Sequence, residues 1–310
     1  MDIVEVKNIS KSYGSILAVS KLSFSVKEGE IFGLLGPNGA GKTTTISILS
    51  TLIKPDEGDA FILSHSVVKE QGKVKKLIGV VPQDIALYPT LTVYENLSFF
   101  TDLYGVKNKK SAIEKVLDIV QLKERAKSRV DTLSTGMKRR LNIAVGLLPE
   151  PKVLILDEPT VGVDAQTRAN ILESIKELNK DSGITVIYTS HYMDEVEYLC
   201  NRIAIIDFGK LKALGTLQEL KAIVSEKDVI ELSLEEEVNN STKEKILKIE
   251  GVKSVEVAQK SIKIVVNGTN VVLPELIKVI SVTTKIRSIS IKEPDLETVF
   301  LALTGRALRE

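Results

Sequence analysis

A chain of 310 residues, 43% hydrophobic and 27% charged, is long enough for one large domain and a smaller one, each with its own core. Lys+Arg 42 against Asp+Glu 41 leaves a formal net charge of +1, which gives no electrostatic footprint for sequence-independent binding of DNA or RNA, and no nucleic-acid partner is expected. A single cysteine and two histidines exclude an intramolecular disulfide and a Cys/His zinc site and fit a reducing compartment.

The N-terminus, "MDIVEVKNIS", has no charged segment followed by an apolar core, and no window approaches about 18 uncharged apolar residues, so the chain is not expected to enter or span a membrane by itself. Alternation in "DIVEVKNISKSY" and the β-rich run "LSFSVKEGEIFGLLG" predict a small antiparallel region leading into a buried strand, residues 31 to 35, that ends at a glycine loop. A helix is expected from Thr43 to Leu52, then a turn and short strand in "IKPDEGDAFILSHSVVKE", then a buried strand in "IGVVPQD" stopped by Pro82. From roughly residue 90 to 150, apolar residues three and four apart predict helices in "TLTVYENLSFFTDLYG", "SAIEKVLDIVQL" and "GMKRRLNIAVGLL". Strands return in "KVLILDEP", "ITVIYTSH" and "RIAIIDFGKL", separated by helical "AQTRANILESIKELNKDSG" and "YMDEVEYLC". Apolar runs alternating with amphipathic helices indicate an α/β fold with a parallel sheet covered on both faces.

Beyond Gly215, "TLQELKAIVSEKD" reads as a helix and linker into a segment of its own order: strand 228 to 234, helix 242 to 250, strands 252 to 258 and 261 to 267, helix 271 to 281, strand 285 to 291. The order βαββαβ predicts a small α+β, ferredoxin-like C-terminal domain. The acidic run Glu235 to Glu237 reads as a solvated turn.

Gly36-x-x-x-x-Gly41-Lys42-Thr43 lies between a predicted strand and a predicted helix, the context in which this spacing makes a phosphate cradle. Across Gly36, Pro37, Asn38, Gly39, Ala40 and Gly41, and on into Lys42, Thr43 and Thr44, backbone N–H groups can converge on an anion and the helix N-terminus adds its dipole. Lys42 would reach the terminal phosphates of a nucleotide and the Thr43 hydroxyl would ligate Mg²⁺. No Asn-Lys-x-Asp guanine reader is present. "VLILDEP" then sets Asp157 and Glu158 at the carboxyl edge of the sheet, where Asp157 would hold Mg²⁺ in its outer shell and Glu158 would polarise the attacking water as general base.

With "LSTGMKRRLNIAVGLLPEPKVLILDEPTVGVD" added, the chain resembles the nucleotide-binding subunits of ABC transporters over residues 1 to about 220. The family's signature, Leu-Ser-Gly-Gly-Gln, stands here as Leu133-Ser134-Thr135-Gly136-Met137. The resemblance implies that this loop serves the opposite protomer's γ-phosphate, with Ser134 as a capping hydroxyl, Gly136 allowing backbone approach, and contacts altered by Thr135 and Met137. It also implies that Tyr13 stacks on adenine, that Gln83 contacts Mg²⁺ and water and connects to a membrane subunit, that His191 hydrogen-bonds the γ-phosphate, and that Asp164 links two active sites across a dimer. His65 matches nothing in the family and is expected to be exposed.

What the resemblance implies as a whole is a P-loop NTPase core of ABC type at residues 1–220, with a helical subdomain at about 85–150, and an accessory domain at 226–310. It implies an ATP hydrolase using ATP and Mg²⁺, with Glu158, His191, Gln83 and Lys42 in catalysis, closing as a homodimer on the cytoplasmic face of a membrane beneath a separate membrane-spanning permease. The "LSTGM" variant and the final "KEPDLETVFLALTG" resemble export-type subunits. A non-transport ABC ATPase acting in assembly or on nucleic acid, and an importer subunit, remain the alternatives.

Overall fold

A computed structural model describes residues 1–223, 228–236, 240–258, 260–282, 284–292 and 295–304. The chain divides into two compact units, one spanning Met1–Thr216 and the other beginning at Leu217.

In the first unit, β1 (Asp2–Tyr13) and β2 (Ile16–Lys27) pair antiparallel, as their alternation requires, and β3 (Ile31–Leu35) is buried along its whole length. α1 (Lys42–Leu49) is shorter than the periodicity predicts: Thr51 takes a left-handed φ of 62°, and the N–H groups of Leu52 and Ile53 turn back to the Ser47 carbonyl. β4 (Glu57–Ile62), β5 (His65–Ser66) and the single turn α2 (Gln71–Val74) lead to β6 (Ile78–Val81). Three helices follow, α3 (Val93–Tyr104), α4 (Lys109–Ile119) and α5 (Thr135–Leu147). α3 starts at a reciprocal capping box between Thr92 and Glu95 and stops at Gly105 in the left-handed region. The chain then runs through β7 (Val153–Asp157), α6 (Ala165–Ser182), β8 (Thr185–Ser190), α7 (Met193–Leu199), β9 (Arg202–Asp207) and β10 (Lys210–Gly215).

Two departures from the sequence reading are local. "RIAIIDFGKL" is not one strand but an antiparallel hairpin, because Phe208 and Gly209 both take positive φ and reverse the chain in two residues. His65 is about one-third exposed, with Nδ1 3.1 Å from Glu70 Oε1, so a carboxylate claims it.

The central sheet has the order β10-β9-β3-β8-β7-β6, parallel throughout except for the β9–β10 hairpin at its edge. A second, antiparallel sheet, β2-β1-β4-β5, packs its apolar face against the first around α1, with Phe24 and Phe32 stacked at 5.2 Å. Burial of these faces supplies the main drive to fold. Leu35 pairs with Ser190, Asp157 with Thr189, and Val81 with Leu156, so the loops leaving β3, β8, β7 and β6 all open at one edge. That edge is where a parallel sheet binds ligands.

Two glycines let α5 lie against this sheet. A Cβ on Gly79 of β6 would stand 2.1 Å from the Gly146 carbonyl oxygen of α5. Gly79→Ala is therefore expected to destabilise the protein by about 1–3 kcal/mol, read as a lower midpoint in thermal unfolding; an unchanged midpoint would mean that α5 can move away at no cost. The lone cysteine is also a packing residue: Cys200 Sγ sits against Gly33, and burial pushes its thiol far above the ordinary range, which leaves it unreactive.

The second unit contains α8 (Leu217–Ala222), β11 (Asp228–Leu234), α9 (Asn240–Leu247), β12 (Val252–Ala258), β13 (Ser261–Val266), α10 (Thr269–Ser281), β14 (Ile286–Lys292) and α11 (Leu296–Thr304). Its antiparallel sheet has the order β12-β13-β11-β14, the ferredoxin-like arrangement of βαββαβ. Its own core includes Ile230, Leu232, Ile262, Ile264, Val272 and Leu276. Glu235 and Glu236 are exposed in a turn, while Glu237 and linker residues 224–227 lie outside the described residues.

Candidate active site

The loop from Gly36 to Gly41 is shaped by contacts that admit no side chain at its ends. A Cβ on Gly36 would stand 2.5 Å from the Ile206 carbonyl oxygen, and one on Gly41 2.5 Å from the Ala18 carbonyl oxygen. Gly41 also has φ 101° as the residue before α1. The first N–H groups of α1 are left without intrahelical partners at this end, as in any helix, and with the loop amides they form an anion-binding concavity.

Lys42 opens α1 with its side chain only 5% exposed, and its ammonium donates to the carbonyls of Gly36, at 2.7 Å, and Pro37, at 3.2 Å. It also lies 3.1 Å from Glu158 Oε1. Glu158 follows the last residue of β7 with a left-handed φ of 46°, and its N–H donates to Thr189 Oγ1 at 3.0 Å. That conformation costs a non-glycine residue on the order of 1–3 kcal/mol, and here it turns a buried carboxylate into the space beside the glycine loop. Gln83 Nε2 donates to Glu158 Oε2 at 3.3 Å. His191 Nδ1 is 3.2 Å from Glu158 Oε1 but off the hydrogen-bond direction. Lys42, Gln83 and His191, three positions inferred from the sequence, thus meet on one carboxylate.

Asp157, directly before it, accepts from Thr189 Oγ1 at 2.6 Å. Burial pushes its carboxyl above the usual aspartate range, while hydrogen bonds from Thr189 and Thr43 pull the other way. The Thr43 hydroxyl and the Asp157 carboxylate, on different elements, are therefore near neighbours beside the glycine loop.

The other sequence-derived residues stand in two further places. Tyr13 ends β1 and is half exposed, and β2 passes the glycine loop at Ala18 and Val19. Ser134 caps α5, accepting from the Met137 N–H at 3.3 Å, with Thr135 as the first residue of the helix. Gly136 has a reason within its own chain: a Cβ there would stand 2.1 Å from Thr167 Cγ2 of α6. Thr167 in turn donates both its N–H and its hydroxyl to Asp164, which caps α6 and whose carboxyl those bonds hold below the usual range.

Sequence reasoning missed the residues that tie these segments together. Arg139 of α5 donates through Nη1 to the Gln83 carbonyl and through Nη2 to the Val161 carbonyl at 2.9 Å. Asn142, one turn on, donates to the Pro82 carbonyl at 3.3 Å. Asn96, completely buried, bonds both the N–H and the carbonyl of Tyr88. These are polar residues on buried helix faces, a signal present in the periodicity but easily assigned to solvent.

Comparison with known proteins places this architecture. Residues 19–161 match the ABC transporter family, and residues 215–304 match the C-terminal domain of DrrA1-3-like ATP-binding proteins. The chain is 46% identical to the linearmycin resistance ATP-binding protein LnrL of Bacillus subtilis, over 99% of its own length and 100% of that protein's. It is 43% identical to the doxorubicin resistance ATP-binding protein DrrA of Mycobacterium tuberculosis over 70% of this chain and 67% of that one. Among solved structures, cbiO1 from Clostridium perfringens, part of the ABC transporter complex cbiONQ, superimposes with a TM-score of 0.66 at 29% identity, covering 71% of this chain and 91% of its own. The dimeric post-hydrolysis state of the ATP-binding cassette MJ0796 bound to ADP and Pi gives a TM-score of 0.62 at 28% identity, covering 69% and 98%. A glycine loop, paired acids on the adjoining strand, full-length likeness to one ATP-binding protein and likeness over about 70% of the chain to others lead to one assignment: the chain belongs to the ATP-binding proteins of ABC transporters and is an ATP hydrolase.

Proposed function

We propose that this protein powers a membrane exporter, two copies closing on ATP beneath a separate membrane-spanning subunit at the cytoplasmic face. The observation that carries the catalytic part is the buried Glu158 carboxylate, met by Lys42, His191 and Gln83 from three other segments. In this reading the loop amides and Lys42 hold the β- and γ-phosphates. Glu158 takes a proton from the attacking water while the water oxygen bonds to the γ-phosphorus and the bond to the β–γ bridging oxygen breaks. His191 hydrogen-bonds a γ-phosphate oxygen and Gln83 orients the water.

The neighbouring oxygens of Thr43 and Asp157 fit a small hard cation, with the Gln83 amide within reach of the same space. Mg²⁺ held there would neutralise charge developing on the phosphates. Tyr13 stacks on the base, and Ser134, Thr135, Gly136 and Asp164 of the second copy complete the site. Residues 226–310 form an accessory unit to the ATPase core at 1–220.

A membrane partner is supported by the aromatic surface that begins five residues after Gln83 in the chain. Tyr88, Phe99 and Tyr104 are each more than 40% exposed, yet they join Phe100 in a run of ring contacts, Tyr88 meeting Phe99 at 4.9 Å and Phe100 meeting Tyr104 at 6.1 Å. Such a ledge of exposed aromatics marks a protein interface. Among the described residues no helix is long and apolar enough to cross a membrane, and relatives named for drug resistance and for Nod factor export favour outward transport.

The test is a pull-down of tagged Glu158→Gln from detergent-solubilised native membranes in MgATP. Recovery of a polytopic membrane protein is the expected result. Recovery of soluble proteins or nucleic acid alone, from a variant that does dimerise, would move the chain to the non-transport ATPases, and co-purification with an extracytoplasmic binding protein would make it an importer subunit.

A further inference from the structure

Behind the site, Glu195 of α7 is fully buried and gathers hydroxyl groups from two other segments. Its Oε1 accepts from Thr160 Oγ1 at 2.7 Å, and its Oε2 accepts from Tyr188 OH at 2.7 Å and Ser190 Oγ at 2.8 Å. Thr160 and Tyr188 touch each other at 3.3 Å. Arg168 of α6 adds its charge, Nε standing 3.4 Å from Glu195 Oε1. All three hydroxyl residues are themselves buried.

The placement of these partners gives the cluster its meaning. Thr160 lies two residues after Glu158, in the turn that follows the strained backbone of that residue. Ser190 immediately precedes His191, and its Oγ, which donates to Glu195, also accepts from the Tyr192 N–H at 2.9 Å, so this hydroxyl ties the residue after His191 back to the one before it. Arg168 lies one turn after Asp164 and covers the Tyr192 ring at 4.5 Å, which in turn lies against the His191 ring at 4.1 Å. A single carboxylate thereby connects the turn of the base, the strand end of the histidine and the first turn of α6.

We infer that Glu195 is a positioning residue for ATP hydrolysis, holding Glu158 and His191 in mutual register and tying both to the α6 turn that begins at Asp164. The inference rests on the reading of Glu158 as the base. An ionised carboxylate is an acceptor on every lone pair, which suits three hydroxyl donors with a guanidinium charge beside them; a carboxamide must point two donors into the same group of donors. The bonds are buried and charge-assisted, so their geometry is tightly held.

The experiment is steady-state and single-turnover ATP hydrolysis by the full chain. Glu195→Gln is expected to lower kcat on the order of 10²-fold, the effect of a small misplacement of reacting groups, while KM for ATP stays close to wild type because the phosphates are held by the glycine loop. In a Glu158→Gln background the same change is expected to slow residual turnover by clearly less than its full factor, since one of the two groups it positions is already gone and only the His191 share remains. Thr160→Val is expected to lower kcat and Thr160→Ser to restore it. Wild-type kcat in Glu195→Gln, or equal rates in Thr160→Val and Thr160→Ser, overturns the inference. Full multiplication of the two effects in the double variant overturns action through Glu158. If Glu158→Gln alone keeps normal turnover, the base assignment fails by itself, and a kcat loss at constant KM in Glu195→Gln then assigns the positioning to His191. Should Glu195→Gln fail to fold, the Thr160 pair decides.

Discussion

Replacing Glu158 by glutamine is expected to cut ATP turnover by about 10²–10⁴-fold with nucleotide affinity almost unchanged, and to leave the protein trapped as a nucleotide-bound dimer. The carboxamide keeps the shape of the side chain and can still meet Gln83, but it has no basic oxygen with which to accept a proton from water. Lys42 and the loop amides, which the substitution leaves in place on other segments, are expected to go on holding phosphate. Phosphate release, a nucleotide-binding titration and size-exclusion chromatography in MgATP read the three parts separately. Turnover at the wild-type rate would remove Glu158 from the chemistry and leave its three-sided neighbourhood as a structural arrangement.

Replacing Lys42 by alanine is expected to act on binding and on stability together. Two charge-assisted hydrogen bonds to phosphate, at about 1.5–3 kcal/mol each, make a loss of roughly 10²–10⁴-fold in affinity. The same change strips Glu158, itself only 6% exposed, of the ammonium 3.1 Å away. Breaking a buried pair from one side costs about 3 kcal/mol or more, which in a domain of this size lowers the thermal midpoint by roughly 6–12 °C. The pairing argument has its own control: Lys42→Ala combined with Glu158→Gln removes both charges and should recover most of the lost midpoint without recovering nucleotide binding. A double variant no more stable than Lys42→Ala would show that the two charges do not support each other.

Much of this was legible in the sequence because the relevant physics is local. A glycine loop between an apolar strand and a helix encodes its own shape, and acids placed after a run of Val-Leu-Ile-Leu can only emerge at the sheet edge. The βαββαβ order of the second unit was legible for the same reason, since each element carries its own period. What was not legible depended on partners distant in the chain. Phe208-Gly209 is a turn only because Phe208 accepts a left-handed backbone, and nothing in an apolar run announces that. Gly136 reads as an opening for a ligand, and that the same position also packs against Thr167 of its own chain was not announced by the sequence. Glu195 sits on the buried side of α7 with Val196 and Leu199; among "MDEVEYL" it reads as one more solvated acid until Thr160, Tyr188 and Ser190 are seen to donate to it. Its spacing of four from Leu199 was the available sign.

The link made by Arg139 has a consequence for how this protein can vary over evolutionary time. Both of its acceptors are main-chain carbonyls, at Gln83 and at Val161, so the connection does not depend on which side chains those two positions carry. Drift at either acceptor leaves the link intact, and the whole constraint falls on the donor. A lysine there gathers its donors on one nitrogen, while the arginine fork distributes them over separate atoms in a fixed plane. Change at position 139, like change at Asn142 with its bond to the Pro82 carbonyl, is therefore a substitution through which relatives could loosen the connection between α5 and the loops around the carboxylate, while every residue that touches the nucleotide stayed the same.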